Sequence, residues 1–477
     1  MKMDYLVYIT IPSVQKLISA SRKTVDLWAG SFLVSALMKD LLNLIRSQYN
    51  VVDIILPHED LLSSRSDIAD IPNISFLIIS LEESESDSFI KSVEDNFKNI
   101  LEKKLLSFKE IIKDEDALKL AQKQIQNSLN LFVALKKRSG DYKSDRASVI
   151  KYMATLKGFK SRKNDYIEGF KVFDLSSHTN VFSYPDYKEF LFAVDTLNPE
   201  IVRGAYRCYI CGDRIILGAD EYDFTAKRFW ERLEQDTKLD LEGEKLCGFC
   251  FGKRLLKEKE FPEREKAPSV SDVAMKAVKK RIKEIGKTQE ILSIFEKHKD
   301  KFSSQIARAL NRKELDLLDG EWLMPVTWEN ERDYESAFDK KISNEERRLL
   351  AKETARSLTE FYKNHALKPT YHYAVLIMDG DSMGKKISLL DTSETQKELS
   401  KVLSQFSKAV KDIVKSYNGY LVYSGGDDVL ALAPLDTAIS CAYKIQNTFQ
   451  ETTKGFYERY IKPVRDEASY KFTMSAG

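Results

Sequence analysis

The chain of 477 residues carries 75 Lys and Arg against 73 Asp and Glu, a net charge of +2, with charged residues at 31%. That length exceeds a single core and predicts three or four domains, and the near-neutral balance excludes nucleic-acid binding by net charge alone, leaving only local patches. No unbroken apolar run approaches the roughly 20 residues of a bilayer span, the N-terminus lacks signal-peptide organisation, and the five cysteines fit a reducing cytoplasm with a metal site better than a disulfide framework.

Residues 5–11 read as a short β run, and residues 14–45 follow with helical spacing at Val14, Leu17, Ile18, Leu27, Trp28, Phe32, Leu33, Leu37 and Leu41. Residues 82–131 are charged and helical in pattern, with Phe89, Ile90, Val93, Phe97 and Ile100 as the buried stripe. Residues 134–163 then hold ten Lys or Arg against two Asp, with Tyr142, Tyr152 and Phe159 interleaved. Such a run is either a solvated face or a surface that contacts RNA or a partner, since phosphate neutralisation needs a local excess of cations.

Cys208-Tyr-Ile-Cys211 and Cys247-Gly-Phe-Cys250 are two C-x-x-C knuckles. Four thiolates in this spacing suit tetrahedral, structural Zn²⁺, and the glycine after Cys211 and the one after Cys247 favour tight knuckle turns. The 35 residues between the pairs predict a small structure of their own, with a helix over residues 226–234. A boundary falls over residues 253–262 and then 268–271, followed by a helical region over 273–318 with Ala277, Ile282, Ile285, Ile291, Ile294 and Phe295 at apolar spacing. Ser343 caps a further helix running to about residue 365, with Glu345 and Glu346 in its first turn, and Pro369 stops it.

The most informative stretch comes next. A buried strand over residues 374–378 runs into Asp379-Gly380-Asp381, and a helix begins near Met383. Residues 420–433 read as a hairpin whose tip is Ser424-Gly425-Gly426-Asp427-Asp428. The two glycines are expected to supply positive φ and to let a polyphosphate approach the backbone. Adjacent carboxylates repel, so one must hold a proton or both must bind a cation, and the hard oxygen-ligated candidate is Mg²⁺. A strand ending in Asp, a helix start and a Gly-Gly-Asp-Asp hairpin form the layout of a palm for two-metal phosphoryl chemistry. Residues 436–460 read as an amphipathic helix, and residues 470–477 begin another strand.

On these residues the chain resembles the polymerase/cyclase palm of the large subunit of type III CRISPR effector complexes, which is related to diguanylate cyclase domains. Residues 11–31 and 71–77 resemble the opening of the first palm in the Cmr-type (III-B) version, and the four-cysteine module resembles the zinc module that the family holds between its palms. The resemblance implies an α/β (α+β) fold. Two ferredoxin-like palms (nucleotidyl cyclase-like) would flank a four-cysteine zinc module and helical regions. The expected division is a degenerate first palm over 1–200, the zinc module over 201–265, a helical linker over 266–367 and the second palm over 368–477. Laying residues 5–9 over 373–377 sets Ile11 and Ser13 where the later palm has Asp379 and Asp381, so the first palm is expected to be a scaffold.

The family further implies a cytoplasmic enzyme that senses target RNA and makes a cyclic oligoadenylate from ATP. Asp379, Asp427, Asp428 and the Gly380 carbonyl would hold Mg²⁺ (or Mn²⁺). Asp381, Ser382, Gly384, Lys385, Lys386, Ser424, Gly425 and Gly426 would surround the nucleotide, Asp381 orienting the loop. Partners would be the other protein subunits of the complex, guide RNA and target RNA, with no membrane. Alternatives are a diguanylate-cyclase-like enzyme using GTP, a member joining S-adenosylmethionine to AMP, and a non-catalytic scaffold. No His-Asp dipeptide occurs, so the DNase activity of HD-bearing members is not expected. The family normally continues past the equivalent of Ser475-Ala-Gly477, so a truncated or split chain is expected.

Overall fold

The computed structural model describes residues 2–477 except 64, 65, 67, 162–206, 220–224, 238, 240, 242, 263–266 and 340. The expected boundaries at 200/201 and 265/266, and Arg162 and Lys163 of the basic stretch, lie outside the described residues, as does the Phe159 side chain. By compactness the chain forms two units. One is Met1–Glu265 with Ser382–Gln405 and Gly455–Lys471; the other is Lys266–Asp381 with Phe406–Lys454 and Phe472–Gly477.

The first unit contains strands β1 (Lys2–Thr10), β2 (Val51–Leu56), β3 (Ile74–Glu82) and β4 (Phe132–Lys137), all antiparallel in the order β2-β3-β1-β4. With helices Thr24–Gln48 and Ser86–Leu105 in the crossovers, the chain order is strand, helix, strand, strand, helix, strand. This is the ferredoxin-like arrangement expected of a palm. On one face Leu6, Tyr8, Ile55, Phe76 and Phe132 form a core with Tyr142, Val149 and Met153 of helix Tyr142–Ser161. The paired residues Tyr8 and Phe76 stack at 4.6 Å.

β2 and β4 are strands beyond those expected. Val51-Val-Asp-Ile-Ile-Leu56 and Phe132-Val-Ala-Leu135 are their apolar runs, and β4 blends into the basic stretch because it ends in lysines. The segment over 82–131 divides into helices Ser86–Leu105 and Glu115–Gln126. The first buries Phe89, Val93, Phe97, Leu101 and Leu105, one residue per turn, while Ile90 and Ile100 sit at the edge. Helix Thr24–Gln48 is long and apolar enough to cross a membrane by length and composition, a property hidden by its scattered polar residues. Sixteen of its residues are buried in the protein.

Helix Gly248–Glu260 locks onto this unit. Asp26, 0% exposed, receives Arg254 Nε at 2.6 Å and Nη2 at 2.9 Å, and it accepts the backbone N–H groups of Arg22 and Lys23. Burial alone would raise the Asp26 carboxyl, yet Arg254 and those N–H groups hold it below its usual range. Glu244 meets the same guanidinium at 2.8 Å. Lys253, 0% exposed, donates to the Ala20 carbonyl at 2.6 Å and lies 3.3 Å from that of Leu17, closing the end of helix Val14–Ser19.

In the second unit a helical core gathers Trp322, Trp328, Phe295, Phe302 and Phe338. Helix Val270–Glu284 leads it and also lies against the second sheet. Ser343 caps helix Asn344–Asn364 as expected, its hydroxyl accepting from the Glu346 N–H. The sheet comprises β5 (Tyr373–Gly380), β6 (Tyr420–Gly425), β7 (Asp428–Pro434) and β8 (Met474–Ala476) in the order β6-β7-β5-β8, the same topology as the first. One face of β5 buries Leu376 and Met378; Val375 and Ile377 on the other face reach solvent. Behind the buried face, Phe406 of helix Ser393–Ser416 and Phe449 of helix Leu435–Phe456 meet edge to face at 5.0 Å.

Truncating one member of a buried ion pair leaves the other charge unpaired. Arg254→Met should therefore destabilise the first unit by about 3–5 kcal/mol, and adding Asp26→Asn should return part of that loss. Denaturant melts of the four proteins check this; an Arg254→Met curve that overlays the parent would refute it.

Candidate active site and metal centre

The carboxylate site begins with strand register. β5 and β7 run antiparallel, with Val375 opposite Leu432, Ile377 opposite Leu430 and Met378 opposite Val429. One further step brings Asp379 level with Asp428. Side chains alternate, so both carboxylates stand on the face of Val375 and Ile377, away from the helices. Asp379 hydrogen-bonds the Asp428 carboxyl, and Asp427 adds a like charge. Partial loss of hydration, the Asp427 charge and the Asp379 contact push the Asp428 carboxyl up to about 7. Asp428 as a residue still reaches solvent, so the like charges are the durable part of that push. A divalent cation fits this donor set, because it removes the repulsion that otherwise obliges one carboxyl to stay protonated.

The hairpin forms as expected, but its glycines divide the work differently. Of the two, only Gly426 takes positive φ, at 71°. Gly425 has ordinary φ and is required for space: a Cβ there would lie 2.4 Å from the Tyr423 hydroxyl. The Ser407 hydroxyl reaches the Gly426 carbonyl at 3.4 Å. The Ser424 hydroxyl is fully buried, with no hydrogen-bond partner among the described residues. Gly380 pairs with Met474 of β8, and Asp381 accepts from the Ser475 hydroxyl while its N–H donates to the Thr473 carbonyl at 2.9 Å. Asp381 is thus held by the β8 segment.

Ser382 is a left-handed residue (φ 54°, ψ 34°) that opens helix Met383–Ile387, and it falls with Gly384 and Lys385 in the first unit. Lys385 is exposed and Lys386 is 1% exposed, so of the two lysines only Lys385 offers its ammonium to solvent. The same local geometry corrects the comparison of the two palms. Ser13 (φ 59°, ψ 29°) opens helix Val14–Ser19 as Ser382 opens its own, which makes Thr10 the counterpart of Asp379 and Pro12 that of Asp381. The sequence alignment was one residue off. The position still lacks a carboxylate, and the buried Thr10 hydroxyl has no partner among the described residues.

The cysteine centre lies in the first unit. Among the described residues, Cys208, Cys211, Cys247 and Cys250 form the one group of three or more ligating residues whose donor atoms all lie within 4.8 Å of one another. The three aspartates do not meet that spacing as a set. The Cys211 and Cys247 sulfurs are 3.9 Å apart, close to the edge of a tetrahedron with Zn–S bonds of about 2.3 Å. Hydrogen bonds from Cys208, Cys247 and Cys250, with the nearby Arg214 charge, hold the Cys211 thiol far below its usual range, whereas burial pushes Cys247 up. Without a cation the cluster supports a thiolate sharing its neighbours' protons, which fits a metal that takes all four thiolates. The first knuckle turns through Gly212 (φ 66°) as expected. Gly248 serves another purpose: it starts helix Gly248–Glu260, and a Cβ there would meet the Ala121 Cα at 2.5 Å. The expected helix over 226–234 is present as Lys227–Thr237.

Replacing Cys247 and Cys250 with Ser should abolish about one bound Zn²⁺ per chain and lower the melting temperature of the first unit. Metal analysis of well-folded parent protein that finds no zinc would contradict this. For the carboxylates the sign follows from the raised Asp428 carboxyl. The folded state holds that proton more tightly than the unfolded chain, so metal-free stability declines as pH rises from the ordinary carboxylate range through about 7. Between about pH 5 and 8, Asp428→Asn should flatten this slope in thermal melts, and Mn²⁺ affinity of the parent should rise over the same interval.

Residues 372–477 match the family model of the Cas10/Cmr2 second palm domain, and residues 6–106 match that of the Cmr2 N-terminal region. The chain is 25% identical over 515 residues to the CRISPR system Cmr subunit Cmr2 of Pyrococcus furiosus, covering 93% of this chain and 54% of that protein. It therefore spans about half the length of the curated relative it matches. Two cryo-EM structures of type III-B Cmr-beta share the fold, one in the apo state and one bound to cognate target RNA. Each has a TM-score of 0.58 over 94% of this chain, at 16% and 17% identity, covering 61% and 62% of the respective matched chains. The chain thus carries a Cas10/Cmr2 second palm and a Cmr2-type N-terminal region, and it resembles the large subunit of type III-B CRISPR effector complexes.

Proposed function

We propose that the second palm is a target-RNA-activated nucleotidyl cyclase that makes cyclic oligoadenylate from ATP within a cytoplasmic type III-B complex. The observation that carries the reading is the opposition of Asp379 and Asp428 across neighbouring strands, with Asp427 beside them at a glycine tip. Asp379, Asp427, Asp428 and the Gly380 carbonyl would hold Mg²⁺ or Mn²⁺. Bound there, such a cation supplies charge neutralisation at the phosphates and acidifies the ribose hydroxyl. In each cycle a new bond joins the ribose 3′-oxygen of one nucleotide to the α-phosphorus of another. The bond from that phosphorus to the β-phosphate bridging oxygen breaks, pyrophosphate leaves with the electron pair, and the hydroxyl proton passes to solvent.

The chain's own residues serve by position. Gly426, with open space where a Cβ would stand, leaves room for the phosphates, while buried Ser424 and Gly425 back it from within the hairpin. Ser382, Gly384 and Lys385 line the helix start that follows β5, and Asp381 fixes the turn. The first palm, with Thr10 in place of a carboxylate, acts as scaffold and contributes partner contacts, and the chain works with guide RNA, target RNA and the other subunits of the complex. Cys208, Cys211, Cys247 and Cys250 would hold structural Zn²⁺ and keep helix Gly248–Glu260 seated.

Asp427→Asn combined with Asp428→Asn removes a repelling pair, so the metal-free melting temperature should stay level or rise. The same change should eliminate stabilisation by Mg²⁺-ATP and, in the assembled complex, lower product by at least about a hundredfold while target RNA still binds. Labelled ATP with and without S-adenosylmethionine identifies the product. A conjugate formed only with S-adenosylmethionine would replace the oligoadenylate reading, and parental turnover by the double variant would remove the site assignment.

A further inference from the structure

We propose that Tyr423 is a positioning residue for the carboxylate pair, its hydroxyl bracing the hairpin tip that presents Asp427 and Asp428. The inference rests on reading that tip as a divalent-cation site.

A register fault in the hairpin puts the tyrosine there. At the base of the hairpin, Tyr420 faces Leu432 and Leu421 faces Ala431. Continued without interruption, that pairing would set Tyr423 opposite Val429, whose side chain points into the core. A bulge between Leu421 and Tyr423 intervenes, and Tyr423 instead faces Leu430, Ser424 faces Val429 and Gly425 faces Asp428. Leu430 is two residues from Asp428 on the same strand, so the bulge transfers the phenol to the carboxylate face. There the hydroxyl donates to the Gly425 carbonyl at 3.1 Å. A Cβ on Gly425 would come within 2.4 Å of that oxygen and 2.7 Å of the ring carbon bearing it, so the ring lies flat against the backbone of the tip. Burial, and then the charges of Asp428 and Asp427, push the phenol well above its usual range, so it remains a protonated donor at any physiological pH.

The physical need for a brace is plain. Asp427 and Asp428 repel each other, and Gly426, at positive φ, resists deformation less than any other residue type would. A hydrogen bond from Tyr423 to the carbonyl two residues further along β6 holds the tip against that repulsion in the geometry a cation needs. Removing it should leave the fold intact and let the carboxylates splay.

The test compares full-length parent, Tyr423→Phe, Gly425→Ala and the Asp427→Asn/Asp428→Asn variant, each by thermal melting and by Mn²⁺ titration without nucleotide. Product formation against Mn²⁺ concentration is then measured in the assembled complex. Tyr423→Phe keeps the ring, so a packing role would be preserved in it and Mn²⁺ affinity would not move. The proposal expects an unchanged melting temperature, Mn²⁺ affinity lower by about five- to tenfold, and turnover restored by saturating Mn²⁺. Gly425→Ala, which displaces the hydroxyl from the other side, should produce a shift of the same kind. It should also combine with Tyr423→Phe to less than the product of the two effects. Parental Mn²⁺ affinity in Tyr423→Phe overturns the bracing role while leaving the cation site intact. Equal Mn²⁺ binding by the parent and the double Asn variant overturns the cation site and the bracing role with it.

Discussion

The pairing of β5 with β7 is the constraint on which the candidate site depends. It sets a strand that ends in Asp379 against a strand that begins with Asp428, so the register alone decides whether the two carboxylates meet. A slip of one residue would turn Asp428 toward Phe406 and Phe449, where an ionised carboxylate has no counterion and no water. Leu376, Met378, Val429 and Ala431 prevent that slip by filling the face that the helices cover. The site is expensive electrostatically, and the apolar half of the same two strands supplies the order that holds it.

The first unit uses the same topology to different ends. Its strands are joined by residues 57–73 instead of a tight glycine tip, and Thr10 ends β1 where β5 ends in Asp379. What distinguishes this unit is the clasp around helix Gly248–Glu260. That helix carries a metal-type cysteine in its first turn and then presents Lys253 and Arg254 to the ends of helices Val14–Ser19 and Thr24–Gln48. The cysteine cluster and the buried ion pair are therefore one continuous support, Cys250 and Arg254 standing four residues apart along a single helix. Disorder at the thiolates would be felt at Asp26 within one turn.

Much of this was legible in the sequence where the signal is local. Asp379, the Gly-Gly-Asp-Asp tip and both cysteine knuckles announce themselves because each needs a few residue types at fixed spacing. The helix capped by Ser343 was readable for the same reason. Strands β2 and β4 were not, since six residues carry too little periodicity, and two lysines at the end of β4 imitate a surface run. The correspondence between the palms slipped by one because apolar β residues align equally well in several registers; the left-handed serines that fix it are visible only as dihedral angles. Tyr423 escaped notice because alternation assigns it to the core, and only the bulge turns it to the carboxylate face.

Helix Thr24–Gln48 gives the fold a temporal problem as well as a spatial one. Its aromatic side is capped by Phe261, which meets Phe32 at 5.3 Å and Trp28 at 6.1 Å, and its buried Asp26 waits for an arginine 228 residues further along the chain. At ribosomal speeds of about 5–20 residues per second, Arg254 and Phe261, the last part of its cover, emerge roughly 10 to 50 s after the helix itself. During that interval the nascent chain displays a segment apolar enough to enter a bilayer and a carboxylate without its counter-charge. Chaperone occupancy, or simple delay in closing the first unit, is thus written into the order of the sequence.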